Sequence, residues 1–327
     1  MIIAHACLEI LDLRTSTHKY SETELDFTRD LTSEYVTKII EKVNKNPNKR
    51  VGSFNDESKL KKCLLEYDPK NFIESSKKIA DVFLDILNEN GIKTCQDLLV
   101  CEYRVEDLTY LGLILLENIE AITHENIMIN NLESNQFTKN VYILPESVMK
   151  INTFMIISLP DLNFYSCEKL KEIEGNKRKV IEESIDAKYH PSTNEIMKSI
   201  KDEAKRISEE TGIDYLETMS NVNSFIFQKT SDNNINIKDL ADAAFTDESI
   251  KKEFKANLSL KGVSEAEPIE YDLVSEKVKN QKIKTDTGIE LIIPQEFFKD
   301  NSNVEIKNNP DGTMSIEIKN FTKLISR

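Results

Sequence analysis

The stretch DLLVCEYRVEDLTYLGLILLEN, residues 97–118, decides the reading of the fold. It is rich in Leu, Ile, Val and Tyr, and residues 97–104 and 109–116 read as successive strands, with a third at 120–130. Residues 140–144 and 152–159 read as two more. Upstream, residues 2–13 alternate weakly as a strand, with Cys7, Leu11 and Leu13 on one face and Ala6, Leu8 and Ile10 on the other. Between these strands the period changes. Apolar residues at 31, 35, 36, 39, 40 and 43 repeat at helical spacing, and Pro47 and Gly52 close that unit. Residues 57–66 read as a short helix. Pro69 opens another, with Phe72, Ile73, Ile79, Val82, Phe83, Ile86 and Leu87 on one side and Gly91 as its stop. The expectation is an antiparallel meander backed by helices, forming an α+β domain over residues 1–164.

Residues 165–264 read as a mostly helical region. Its best helix spans 194–210 with Ile196, Ile200, Ala204 and Ile207 as the stripe, followed by helices at 215–227, 237–245 and 248–260. Thr246 or Asp247 serves as N-cap of the last, Gly262 ends it, and 264–268 reads as a linker. Residues 265–327 read as a small α+β module. A turn at 286–288 leads into a strand at 289–293, and Pro294 opens one helical turn carrying Phe297 and Phe298. A hairpin joins 304–306 to 313–318 around NNPDG. The fold class is thus α+β: an N-terminal antiparallel sheet with helices, a helical middle, and a small C-terminal α+β module.

Composition narrows the function. The chain has 327 residues, 39% hydrophobic and 31% charged, which supports packed cores and argues against disorder. The opening MIIAHACLEILDLR lacks a basic n-region and is interrupted by Glu9 and Asp12, so no signal peptide is expected. No apolar run approaches a membrane span. The five cysteines include no CxxC spacing, which disfavours a disulfide framework or zinc knuckle. The expected setting is cytoplasmic. Glycine is scarce, with 8 in the chain, and neither GxGxxG nor GxxxxGK[ST] occurs. The four histidines, His5, His18, His124 and His190, are isolated, and no GxSxG is present. No catalytic residue, cofactor or metal site is expected. Solvated faces explain the carboxylate clusters better than a two-metal centre assembled from distant parts.

Charge is distributed unevenly. The net charge is −14, yet residues 277–327 hold 9 Lys+Arg against 7 Asp+Glu. The acidic balance opposes wrapping nucleic acid over a broad surface, while a local basic patch still acts within a Debye length of about 10 Å. KVKNQKIK places Lys277, Lys279, Lys282 and Lys284 close together. In an extended chain Lys282 and Lys284 share one face with Ile283 on the other, a row suited to contacting phosphates without reading bases. NKRK supplies a second cluster, Lys177, Arg178 and Lys179, and NKR at 48–50 a third.

Six blocks in order carry a resemblance: IIAHACLEILDLR, NFIESSKKIADVFLDIL, DLLVCEYRVEDLTYLGLILLEN, NVYILPESVMKINTFMIISLPDL, TDTGIELIIPQEFF and NPDGTMSIEIKN. The chain resembles, nearly end to end, the bacterial nucleoid-associated protein family of about 37 kDa. The resemblance implies association with the chromosome and binding of nucleic acid, double-stranded DNA first and RNA second, without enzymatic activity. It carries no residue-level DNA site, so the lysines above are the candidates. A nucleoid protein partner is the alternative route to the chromosome, and a metal-dependent nuclease is the remote one. A homodimer is expected from unpaired strand edges in the meander and the tail hairpin.

Overall fold

The computed structural model describes residues 1–15, 17–228, 234–268, 278–298 and 303–323. The chain divides into two units, Met1–His190 and Pro191–Arg327.

The first unit contains β1 (Ile2–Asp12), β2 (Thr17–Lys19), α1 (Asp30–Asn44), β3 (Arg50–Phe54), α2 (Lys59–Leu65), α3 (Phe72–Glu89), β4 (Cys95–Val105), β5 (Leu108–Glu117), β6 (Ile119–Ile129), β7 (Leu132–Ile143), β8 (Phe154–Ser158), β9 (Asn163–Cys167), β10 (Lys171–Ile173), β11 (Asn176–Arg178), α4 (Val180–Ser184) and β12 (Ala187–Tyr189). Eight strands form one sheet in the order β12-β3-β9-β8-β5-β4-β1-β2, with every neighbouring pair antiparallel. The apolar density of residues 97–118 has a physical cause: β4 and β5 are buried on both faces. Leu98, Val100, Leu113 and Leu115 pack with Ile79, Phe83 and Leu87 of α3. Their neighbours Leu99, Cys101, Ile114 and Leu116 pack with Val36, Ile39, Ile40 and Val43 of α1. β1 divides as its alternation predicts, Cys7 and Leu11 toward α3, Ala6 and Leu8 toward α1. The sheet therefore has helices on both sides, and its two outermost strands, β2 and β12, are three residues each.

The third strand of the expected meander leaves the sheet. Among the described residues β6 pairs only with β7, as a separate two-stranded ribbon, and β8 takes the place beside β5. Glu120, Thr123, His124, Glu125 and Asn126 make β6 too polar for a sheet covered on both faces. The ribbon turns at Asn130 and Asn131, both at positive φ (51° and 62°), a two-residue hairpin conformation that asparagine tolerates. β7 begins at Leu132, well before the strand expected at 140–144, because LESNQFTK has few of the residues that mark a strand.

Gly52 of β3 lies opposite Phe164 of β9, and a Cβ there would come within 2.3 Å of the phenyl ring. A second correction concerns residues 165–190, expected to be helical. They complete the sheet and form a hairpin, β10–β11, closed by Glu174 and Gly175 at φ 51° and 81°. Within the expected helical region, helix dominates only over residues 193–260.

The second unit contains α5 (Thr193–Thr211), α6 (Tyr215–Gln228), β13 (Asn234–Asn236), α7 (Ile237–Ala244), α8 (Glu248–Leu260), β14 (Ala266–Pro268), β15 (Asn280–Lys284), β16 (Glu290–Pro294), β17 (Val304–Asn308) and β18 (Met314–Ile318). Ser192 and Glu195 form a reciprocal capping box on α5, and Gly212 ends it at φ 75°. Asp247 caps α8 through the N–H groups of Ser249 and Ile250. The expected stripe Ile196, Ile200, Ala204 and Ile207 packs with Val222, Leu240, Phe254 and Leu258. The buried carboxylate of Glu203 on α5 accepts hydrogen bonds from Arg206 and from Asn257 and Lys261 at the α8 end. The segment read as a linker instead supplies β14, which pairs with β13. The tail hairpins β15–β16 and β17–β18 share a small core of Ile283, Ile293 and Val304. The architecture is α+β, as expected.

Candidate nucleic-acid interface

The first basic cluster sits on the β15–β16 hairpin. Strand alternation sends Ile283 inward, where it is buried, and leaves Lys282 and Lys284 exposed on the outer face. Lys284 lies opposite Glu290 and pairs with it at 2.9 Å. Lys282 lies opposite the exposed Ile292 and has no carboxylate partner among the described residues. Lys279 is exposed just ahead of β15, next to the buried Val278. Lys277 lies outside the described residues. Nearby, Ile292, Pro294, Phe297, Val304, Ile318 and Phe321 line an open hollow of about 290 Å³, with Phe297 and Phe321 partly exposed.

The second cluster is built differently. Lys177 is exposed on β11, opposite Glu172. The Arg178 guanidinium donates to Glu183 at 2.7 Å, and this pairing holds the Glu183 carboxyl below the usual carboxylate range. Lys179 Nζ donates to Glu182 at 3.0 Å, and its backbone N–H donates to Glu183. The same Glu182 carboxylate, nearly buried, receives Arg50 of the third cluster at 3.0 Å. Lys49 lies over the Tyr165 ring at 4.8 Å. Two clusters separate in sequence thus converge on one buried carboxylate. Beside them Glu168, also buried, accepts the Ile181 and Glu182 N–H groups at the start of α4, and burial raises its pKa against the pull of those bonds. An ion pair drawn inward is less available to phosphate than a solvated lysine.

The residue pattern matches one protein family from residue 9 to residue 325, that of nucleoid-associated protein YejK. The chain belongs to this family. No curated protein matches it. Membership of the nucleoid-associated protein YejK family places the chain among proteins of the nucleoid and makes nucleic acid its expected neighbour. No helix among the described residues is long and apolar enough to cross a membrane, and no group of three or more His, Cys, Asp or Glu residues there is arranged to hold a metal.

A further cleft of about 700 Å³ lies in the first unit of this family member, between the end of α3 and the β10–β11 hairpin. Lys93, Lys169, Lys171 and Arg178 line it against Glu89, Glu117, Glu172 and Glu174, so it offers no net attraction to a polyanion. Burial lowers the Lys171 pKa, and Lys169 faces Glu117 at 3.6 Å. Sequence reasoning did not find this cleft, because its walls come from segments some eighty residues apart whose charges have no common motif.

Proposed function

We propose that the chain binds double-stranded DNA through its C-terminal module, by phosphate contacts that are largely independent of sequence, and that it does so without catalysis. The observation supporting this reading is the outward row Lys282 and Lys284, anchored by Ile283, within residues 277–327, where 9 Lys+Arg stand against 7 Asp+Glu. Lys277 and Lys279 extend the row in sequence, and Lys177, Arg178 and Lys179 are the second candidates. Of the second set Lys177 is the most open, since Arg178 and Lys179 are engaged by Glu183 and Glu182. The row carries no planar donor pair suited to reading base edges, so binding energy would come from counterion release.

The test is a salt titration of binding to a short random duplex, followed by fluorescence anisotropy. Binding should weaken linearly in log–log salt, and the fourfold variant K277E/K279E/K282E/K284E should lower affinity at least tenfold at low salt and flatten the slope by about one per lost phosphate contact. Equal binding by the variant at every salt concentration removes the tail from this reading.

The net charge of −14 favours a second reading, an adaptor that reaches the nucleoid through a basic protein partner. Capture of that partner from a nuclease-treated extract, together with no duplex binding at low salt, would decide for it.

A further inference from the structure

The β6–β7 ribbon stands apart from the sheet of the first unit, with its outer backbone edges unpaired by any other strand among the described residues. A two-stranded hairpin alone in water is marginally stable. This one is held at its base, where Tyr142 Oη donates to Asp12 at 2.9 Å and the Arg14 guanidinium lies 4.9 Å from the Tyr142 ring centre. Beyond the base the side chains of both faces lie in solvent, including Phe137 at 88%, Ile122 at 78% and Met128 at 62% exposure. These three share one face. The register pairs Ile122 with Lys139, His124 with Phe137, Asn126 with Asn135 and Met128 with Glu133, and the Asn126 to Asn135 hydrogen bond at 3.2 Å joins side chains on that same face.

We propose that this face packs against the same face of a second copy, in an antiparallel stack about a two-fold axis. The axis lies in the plane between the ribbons, across the strands, midway between the His124/Phe137 and Asn126/Asn135 rows. Under this operation Ile122 meets Met128 of the second copy, and Lys139 meets Glu133 of the second copy, twice over. The two Phe137 side chains lie diagonally across the axis, within reach for aromatic rings. The opposite face lacks this property. Its middle row is Glu125/Gln136, so the same operation there would set Glu125 against its own copy. At ~3.4 Å per residue an eleven-residue ribbon is about 35 Å long, and stacking it buries on the order of 1,000 Å² over both copies, at the low end of specific interfaces. The dimer is therefore concentration-dependent.

Sedimentation velocity of the full chain without nucleic acid, from about 1 to 200 µM, tests the assignment. Because no DNA is present, its outcome is independent of the DNA reading above. The wild type should shift from monomer to dimer over this range, and Phe137→Asp should remain monomeric with an unchanged thermal midpoint. Lys139→Glu and Glu133→Lys each create two like-charge contacts in a homodimer, and each should weaken association about tenfold. Mixed in equal amounts they form a heterodimer with two opposite-charge contacts, and association should return. Mixing does not mend a misfolded chain, so recovery reads the interface itself. A wild type monomeric throughout overturns the proposal, as does a dimer indifferent to Phe137→Asp or a mixture that associates no better than its components.

Discussion

Glu182 turns two basic stretches of the sequence inward, since Arg50 and Lys179 are spent on its carboxylate rather than presented to solvent. Nothing in the sequence could reveal this, because Arg50 and Glu182 are 132 positions apart. The outward placement of Lys282 and Lys284 was legible because strand alternation is a local rule, and Ile283 between them obeys it. Asp97 shows the other limit of sequence reading. Within the most apolar stretch of the chain its carboxyl is pushed up to about 6, first by burial and further by the charge of Asp12, against a weak bond from Asn118. Asp12 itself is held down to about 2 by Arg14. Because the folded state favours protonated Asp97, its penalty is absent below the ordinary carboxylate value of 3.8 and complete above about 6. Asp97→Asn should therefore stabilise the protein by up to about 3 kcal/mol at pH 7.5 and by little at pH 4. Urea unfolding of both proteins at the two pH values checks it; equal differences at both would show that Asp97 titrates normally.

Among the elements, those with local punctuation were read correctly. α5 lies where its apolar stripe over residues 194–210 places it, α8 starts at Asp247, and β4 and β5 lie where residues 97–118 place them. The ribbon was half read. Its first strand has Ile127, Met128 and Ile129, whereas the return strand opens with LESNQFTK, whose ordering comes from ladder pairing with β6 rather than from propensity. Residues 165–190 were misread because three-residue strands are too short to show a period. Gly52 was seen as a closing residue, but its role is packing: β3 approaches β9 so closely that the Phe164 ring fills the space of a side chain. Gly52→Ala should cost about 1–3 kcal/mol through displacement of that ring. Adding Phe164→Leu should recover part of the loss, and a double-mutant cycle in chemical denaturation measures the coupling. Independent effects would mean that the strand shifts instead of the ring.

On the scale of the whole molecule, the two units bury separate sets of side chains, one around β4 and β5 and the other around α5 and α8. Calorimetry should accordingly show unfolding that is not two-state, with a calorimetric enthalpy larger than the van't Hoff value. A single cooperative transition would mean that the units stabilise one another strongly. Family and fold class could both be read from the order of blocks along the chain, because that order reflects the packing of the sheet and helices. The charge balance was read as a sum, but its effect depends on which carboxylate each lysine meets.

The great sheet ends in strands of three residues, β2 on one side and β12 on the other. Strands so short give an incoming chain almost no ladder to extend, and the part of the β1 edge that β2 leaves uncovered is partly occupied by residues 21–25, where the Leu25 N–H donates to the Ala6 carbonyl and the Ser21 hydroxyl donates to the Leu8 carbonyl. In a crowded cell or a partly unfolded sample, the largest hydrogen-bonded surface of the molecule is thus a poor template for fibrillar growth. Ordered aggregates, where they form, should carry the signature of the ribbon, and proteolytic footprinting of their protected cores should recover Ile119–Ile129 and Leu132–Ile143 rather than the strands flanking α1 and α3.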